Sequence, residues 1–131
     1  ICLENTLPHH LGGRCSELKW LDKHTQRDLF FTLDFSHARL GPDPIEKYIE
    51  TFSYRIIHTH ISDNRGKHDD HFPPGFGTID FPPLIKKLAE KAFLDYWNME
   101  ILASPETESK QEIIQQALKG LRHQLNSLAR P

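Results

Sequence analysis

The stretch "RIIHTHISDNRGKHDDHFPPGFGTIDF", residues 55–81, carries four of the nine histidines of the chain and decides how the rest is read. Its first half, "YRIIHTHIS" (54–62) with the preceding tyrosine, is a β-branched and aromatic run bounded by turn residues, the mark of a strand. Its second half runs through "PPG" and "GFG" turn signals and ends where a helical pattern begins. Imidazole and carboxylate groups therefore gather at the C-terminal end of one strand and in the loop behind it.

Outward from this stretch the same unit recurs. "ICLEN" (1–5), "LFFTLDF" (29–35) and "YWNMEIL" (96–102) read as further strands. Each is followed by a helical pattern. "SELKWLDKH" (16–24) is short and amphipathic, and "DPIEKYIETF" (43–52) has Asp43 as N-cap, Pro44 at the first helical position and Ile45, Tyr48, Ile49 and Phe52 on one face. A third helix is expected from Asp80 to Phe93, with Leu84, Ile85, Leu88 and Ala92 as its stripe. The last is expected from Ser104-Pro105 onward, with Ile113, Ile114, Ala117, Leu118, Leu121, Leu125 and Leu128 on one side and Gly120 as its weak point. Strands joined by crossovers of this length must be parallel, so the class is α/β. No linker, repeat or low-complexity tract divides the chain, and residues 1–131 are expected to form one domain.

The polar residues choose between an open sheet and a barrel. Every strand turns acidic or imidazole-bearing near its C-terminal end: Glu4, Asp34, His60 and Glu100. That is the end at which barrels gather their reactive side chains. Period-2 alternation places Cys2, Thr32, His58 and Asn98 one layer deeper on the same faces, small or polar in each case, as in a layer that supports a site. Three carboxylates aimed at one spot repel each other unless a cation is present, so a divalent metal is the simplest occupant. Oxygen-rich ligands with one imidazole suit Mn²⁺, Mg²⁺ or Co²⁺ better than structural zinc, although catalytic Zn²⁺ also accepts such sets. Asp34 and His37, in "DFSH", form a second compact pair.

Composition limits the function classes. The net charge of −2 lacks the basic surplus of proteins that grip a phosphate backbone, which counts against nucleic acid as partner. No apolar run approaches the ~20 residues of a membrane span, and no leader pattern opens the chain, so a cytoplasmic protein is expected. Cys2 and Cys15 are too few for a disulfide framework and are expected to be reduced, with Cys2 buried. His58 is expected to be an inward, hydrogen-bonded neighbour of the site, and His9, His10, His24, His68 and His123 to be solvated.

"ICLEN", "TLDFSHA" (32–38), "HTHISDNRGKHDDHFPPGFGTIDF" (58–81) and "WNMEI" (97–101) resemble four successive motifs of the xylose-isomerase-like TIM-barrel superfamily. That superfamily includes sugar-phosphate isomerases and epimerases as well as type-IV apurinic endonucleases (AP endonuclease family 2). The resemblance covers nearly the whole chain but only the C-terminal half of the barrel. It implies a (βα)4 half-barrel, a fragment or truncated form, with Glu4, Asp34, His60 and Glu100 as ligands of a divalent metal (Mn, Zn, Co or Mg). It further implies a sugar or sugar phosphate as substrate, with Glu4 and Glu100 moving a carbon-bound proton through a cis-enediolate. His37 would contact substrate hydroxyls, and Arg65 lies one residue from where some epimerases place a substrate-binding arginine. In the endonuclease branch Asp69 and His71 would join His37 and the other ligands in a multi-zinc cluster. A half-barrel leaves open edges and an exposed inner face, so a homodimer of 4 + 4 strands is expected. An inactive half-barrel is the third alternative.

Overall fold

A computed structural model describes residues 1–91 and 97–128 of the chain, with the side chains of 127 and 128 outside the description. Among the described residues three strands, β1 (Cys2–Glu4), β2 (Phe30–Asp34) and β3 (Ile56–His60), alternate with helices α1 (Cys15–His24), α2 (Phe35–Leu40), α3 (Ile45–Phe52), α4 (Phe81–Lys91) and α5 (Lys110–Leu128). The sheet is parallel in the order β1-β2-β3, with Glu4 beside Thr32, Thr32 beside His58 and Asp34 beside His60. The expected α/β half-barrel is therefore the fold.

Alternation explains the layers. Phe31 and Leu33 of β2 and Ile56 of β3 point outward and are buried with Tyr48, Ile49 and Phe52 of α3 and Phe81, Ile85 and Leu88 of α4 in one apolar core. Thr32, Asp34, His58 and His60 lie on the inner face; Ile56 shares the parity of His58 and His60, and a register shift in the β2–β3 pairing places it beside Phe31 while His58 pairs with Thr32. Each outward residue removed from water contributes roughly 1.5–3 kcal/mol, so the core is what holds the strand ends in place.

Several elements depart from the sequence expectation. The fourth strand is reduced, among the described residues, to one parallel bridge between Ile61 and Met99, with Ile61 N–H donating to the Asn98 carbonyl (2.8 Å) and Glu100 N–H to the Ile61 carbonyl (3.2 Å). Beyond it, Leu102 N–H donates to the His71 carbonyl instead (3.0 Å), so the loop captures the chain before a ladder can extend. α3 begins at Ile45 with Pro44 as N-cap. Asp43 serves α1, accepting the Cys15 N–H at 2.9 Å, and also pairs with Lys47. α2 was not anticipated; it starts directly after β2 because the Asp34 carboxylate caps it, accepting the His37 N–H at 2.7 Å. Ala92, Phe93, Tyr96 and the Leu128 side chain lie outside the described residues.

α5 begins at Lys110, later than expected, because Ser104 binds Gln116 and the Glu106 N–H instead of capping a helix. Ala117 is buried and Leu121 and Leu125 pack on the core, whereas Ile114 and Leu118 are exposed. Gly120 has a packing reason: a Cβ there would collide with the Pro74 carbonyl, so its absence lets the "PPG" turn approach the helix. Both cysteines are free, but the buried one is Cys15; Cys2 is exposed, its Sγ 3.2 Å from Thr32 Oγ1.

Candidate metal centre

Each strand of the sheet, and the segment bridged to its far edge, delivers one side chain to the same place. Ligand atoms of Glu4 (end of β1), Asp34 (end of β2), His60 (end of β3) and Glu100 (one residue past the Met99 bridge) lie within 4.8 Å of one another. The curl of the sheet brings its first and last members together over the two central ones. His60 Nδ1 is the hub, 2.9 Å from Glu100 Oε2, 3.1 Å from Glu4 Oε1 and 3.6 Å from Asp34 Oδ2.

One N–H cannot serve three carboxylates. Asp34 is fully buried, and its Oδ2 has no hydrogen-bond partner among the described residues. Such a group costs about 1–3 kcal/mol or more when left unsatisfied, so its presence asks for a partner of positive charge. A divalent cation among these four side chains would answer it, and oxygen ligands with one imidazole match the hard, divalent class. The residues present fit the metal.

The electrostatics of the metal-free chain point the same way. Asp34, then Glu4 and Glu100, hold the His60 imidazole well above its ordinary value, at about 9, against the opposing effect of burial. For His37 burial is the largest influence and favours the neutral ring, but Glu4, Asp34, the Asn5 carbonyl and Asp69 together outweigh it and lift the value to about 9. Contact with His37 keeps the Glu4 carboxyl below the usual range, with the charge on His60 assisting and burial opposing.

His37, Asp69 and His71 form a second group whose ligand atoms also lie within 4.8 Å of one another. Asp69 Oδ2 sits 3.3 Å from His37 Nε2 and 3.0 Å from His71 Nε2. The other nitrogen of His37 faces the Asn5 carbonyl (3.0 Å) and Glu4 Oε1 (3.4 Å), so one imidazole joins the two groups. His71 is buried at a positive φ of 48°, fixed by the Glu100 carbonyl 3.0 Å from its Nδ1. Arg65 is brought to neither group. It is exposed, its guanidinium lies over the Phe72 ring at 5.4 Å, and it forms no ion pair among the described residues. His58 meets His60 edge-on (5.2 Å between centroids) with no side-chain hydrogen bond among the described residues, in place of the expected hydrogen-bonded support.

Two positioning residues escaped the sequence reading. Asn5 is buried and binds the Asp34 backbone reciprocally, its Nδ2 donating to the Asp34 carbonyl and its Oδ1 accepting the Asp34 N–H, both at 2.8 Å. Asp63 is buried and accepts four backbone N–H groups: Asn64 (2.9 Å), Gly75 (3.0 Å), Gly77 (2.9 Å) and Ile79 (3.1 Å). It folds the whole loop that carries Asp69 and His71. A Cβ at Gly77 would collide with Asp63 Oδ1 and the Asn64 carbonyl, which is why glycine stands there. The available signal was a polar residue directly after a strand end, followed by glycines spaced to bring N–H groups back to it.

A family model described as the xylose isomerase-like TIM barrel matches residues 1–124. The chain belongs to this family. An uncharacterized protein of Methanocaldococcus jannaschii is 32% identical over 127 residues, covering 92% of this chain and 45% of that protein. The fructoselysine 3-epimerase of Escherichia coli O157:H7 is 24% identical over 74 residues, 56% of this chain and 27% of the enzyme. Among solved structures, a D-tagatose 3-epimerase-like protein superposes with a TM-score of 0.71 at 24% identity, over 98% of this chain and 48% of its own. The 3-keto-D-glucoside 4-epimerase of E. coli gives a TM-score of 0.65 at 18% identity, over 94% and 44%. These structures share the fold. The chain thus spans under half the length of these relatives, and this xylose isomerase-like half-barrel contains both side-chain groups described above. Among its described residues no helix is long and apolar enough to cross a membrane.

Proposed function

We propose that the chain, a single domain over residues 1–131, is the ligand-bearing half of a divalent-metal-dependent sugar or sugar-phosphate isomerase or epimerase. The observation that carries this reading is the buried Asp34 Oδ2, without a hydrogen-bond partner among the described residues and grouped with Glu4, His60 and Glu100. Those four residues would hold one ion of Mn²⁺, Zn²⁺, Co²⁺ or Mg²⁺. When bound, the metal supplies Lewis-acid polarisation of a substrate carbonyl and its neighbouring hydroxyl. Glu4 and Glu100 come from opposite ends of the sheet, so each can take or return a carbon-bound proton from its own side of the mouth. His37, held by the Asn5 carbonyl and Asp69, presents a fixed imidazole to substrate hydroxyls. Arg65 can serve the substrate only by leaving the Phe72 ring. The open edge of β1 and the exposed Phe30 and Ile57 support completion of the barrel by a second copy, a homodimer. Two free cysteines suit a reducing, cytoplasmic compartment.

The test is elemental analysis of the purified chain, coupled to deuterium uptake from D₂O into a ketohexose. About one divalent metal per chain is expected, with exchange abolished by Glu4→Gln and by Glu100→Gln. A chain that takes up no metal from saturating Mn²⁺ would sink the proposal and leave an inactive half-barrel. The His37–Asp69–His71 group favours one second reading, a metal-dependent phosphodiester hydrolase of the AP-endonuclease type. The net charge of −2 counts against it, and two or more zinc ions per chain with cleavage of abasic DNA would count for it.

A further inference from the structure

Beside the second group lies a cavity of about 370 Å³, lined by Leu7, His9, Leu40, Lys67, His68 and Asp69 among others. None of Glu4, Asp34, His60 and Glu100 lines it. Its position relative to the candidate centre is fixed by contact: Asp69 touches His37 through Oδ2 (3.3 Å), and the opposite nitrogen of His37 touches Glu4 (3.4 Å). The Asp69 carboxylate and the His37 ring therefore stand between the cavity and the first group. The Oδ2 of Asp69 is engaged by both His37 and His71. Lys67 and His68, by contrast, form no ion pair among the described residues and are exposed on the cavity wall. The turn that presents them is closed at both ends: Asn64 Oδ1 accepts the Gly66 N–H (2.8 Å) and Asp70 accepts the Arg65 N–H (3.3 Å). Gly66 itself has a φ of 75°, a turn geometry that a side chain would strain.

From these observations we infer that His9, Lys67 and His68 form a subsite for an anionic substituent, phosphate or carboxylate, at the end of the substrate remote from the reacting carbons. The inference rests on the isomerase or epimerase reading for what the rest of the substrate is, but not for the anion itself. An ammonium and two imidazoles can donate to several anion oxygens at once, while Leu7 and Leu40 present only apolar surface. The preference should be modest, about tenfold, because exposed charges are screened by water and salt.

The experiment compares binding of fructose, fructose 6-phosphate and fructuronate to the full chain by calorimetry, each with and without Mn²⁺. Either anionic ketose is expected to bind about tenfold tighter than fructose, and the tighter of the two identifies the substituent. Lys67→Ala combined with His68→Gln should erase that preference while leaving fructose affinity and metal content unchanged; both positions are exposed, so the fold should tolerate the change. Equal affinity for all three ketoses, or a preference that survives the double substitution, would overturn the subsite. Failure of the functional reading looks different: no metal uptake and no fructose binding, with inorganic phosphate still bound by the wild-type chain and lost in the double variant, would keep the anion site and remove the enzyme around it.

Discussion

The two side-chain groups at the mouth of the half-barrel are built in different ways. Glu4, Asp34, His60 and Glu100 stand on strand ends or beside them, one per structural unit, and their spacing follows from the sheet register. His37, Asp69 and His71 stand on a short helix and a loop, and their meeting depends on how that loop is folded back. The first group inherits its geometry from the apolar core beneath the sheet. The second inherits it from one buried carboxylate, Asp63, and the glycines that approach it. A site on the sheet should therefore survive damage that a site on the loop does not.

Removing Asp63 is the strongest way to separate them. Asp63→Ala leaves four backbone N–H groups without their acceptor, and we expect a loss of about 3–5 kcal/mol in urea unfolding. In the folded fraction, Asp69 and His71 should no longer meet His37, while Mn²⁺ still binds at the four strand-end residues. A loss below about 1 kcal/mol, or metal binding that disappears together with the loop, would show that the two groups share one support.

Substitution inside each group sharpens the contrast at a smaller scale. Asp34→Asn keeps an oxygen for the His37 N–H at the start of α2 but turns an amide N–H₂ toward His60, and Mn²⁺ affinity should fall by about 100-fold or more. Asp69→Asn removes the carboxylate between His37 and His71 and should change the same affinity by less than about tenfold. Equal losses from the two variants, measured by titration calorimetry, would mean a single extended centre.

The same difference governs what the sequence made legible. The strand-end residues could be placed from periodicity, because a parallel strand repeats its side chains every second position and presents its C-terminal end to the mouth. Glu100 was located in this way although the strand before it shrank to one bridge at Met99. Asp69 and His71 could be named only through resemblance, since no period governs a loop. Asp43 shows the limit of local pattern: "DP" before a helix is a sound capping signal, yet its carboxylate serves the start of α1, 28 residues away in sequence. Gly120 shows another, for helix propensity marks it as a weakness while the Pro74 carbonyl packs against it. In each case a contact distant in sequence overrode a rule that sees only neighbours.

The prediction with a sign that tests the charge balance directly is the response to pH. His37 and His60 are both raised to about 9 in the metal-free chain, above the unfolded value near 6.5. Groups raised on folding stabilise the folded state fully below their unfolded value, and that contribution is lost as pH rises through the folded value. The melting temperature of the metal-free chain should therefore fall between about pH 6.5 and 9. Metal affinity should move the opposite way over the same window, because His60 must shed its proton before its Nδ1 can serve as a ligand. Calorimetry in buffers of different ionisation enthalpy should register close to one proton released per metal near pH 7, vanishing above about pH 10. Opposed slopes place the imidazolium where the cation would sit. Parallel slopes would mean that His60 remains outside the ligand set, and the four-residue group would then have to be redrawn with three carboxylates alone.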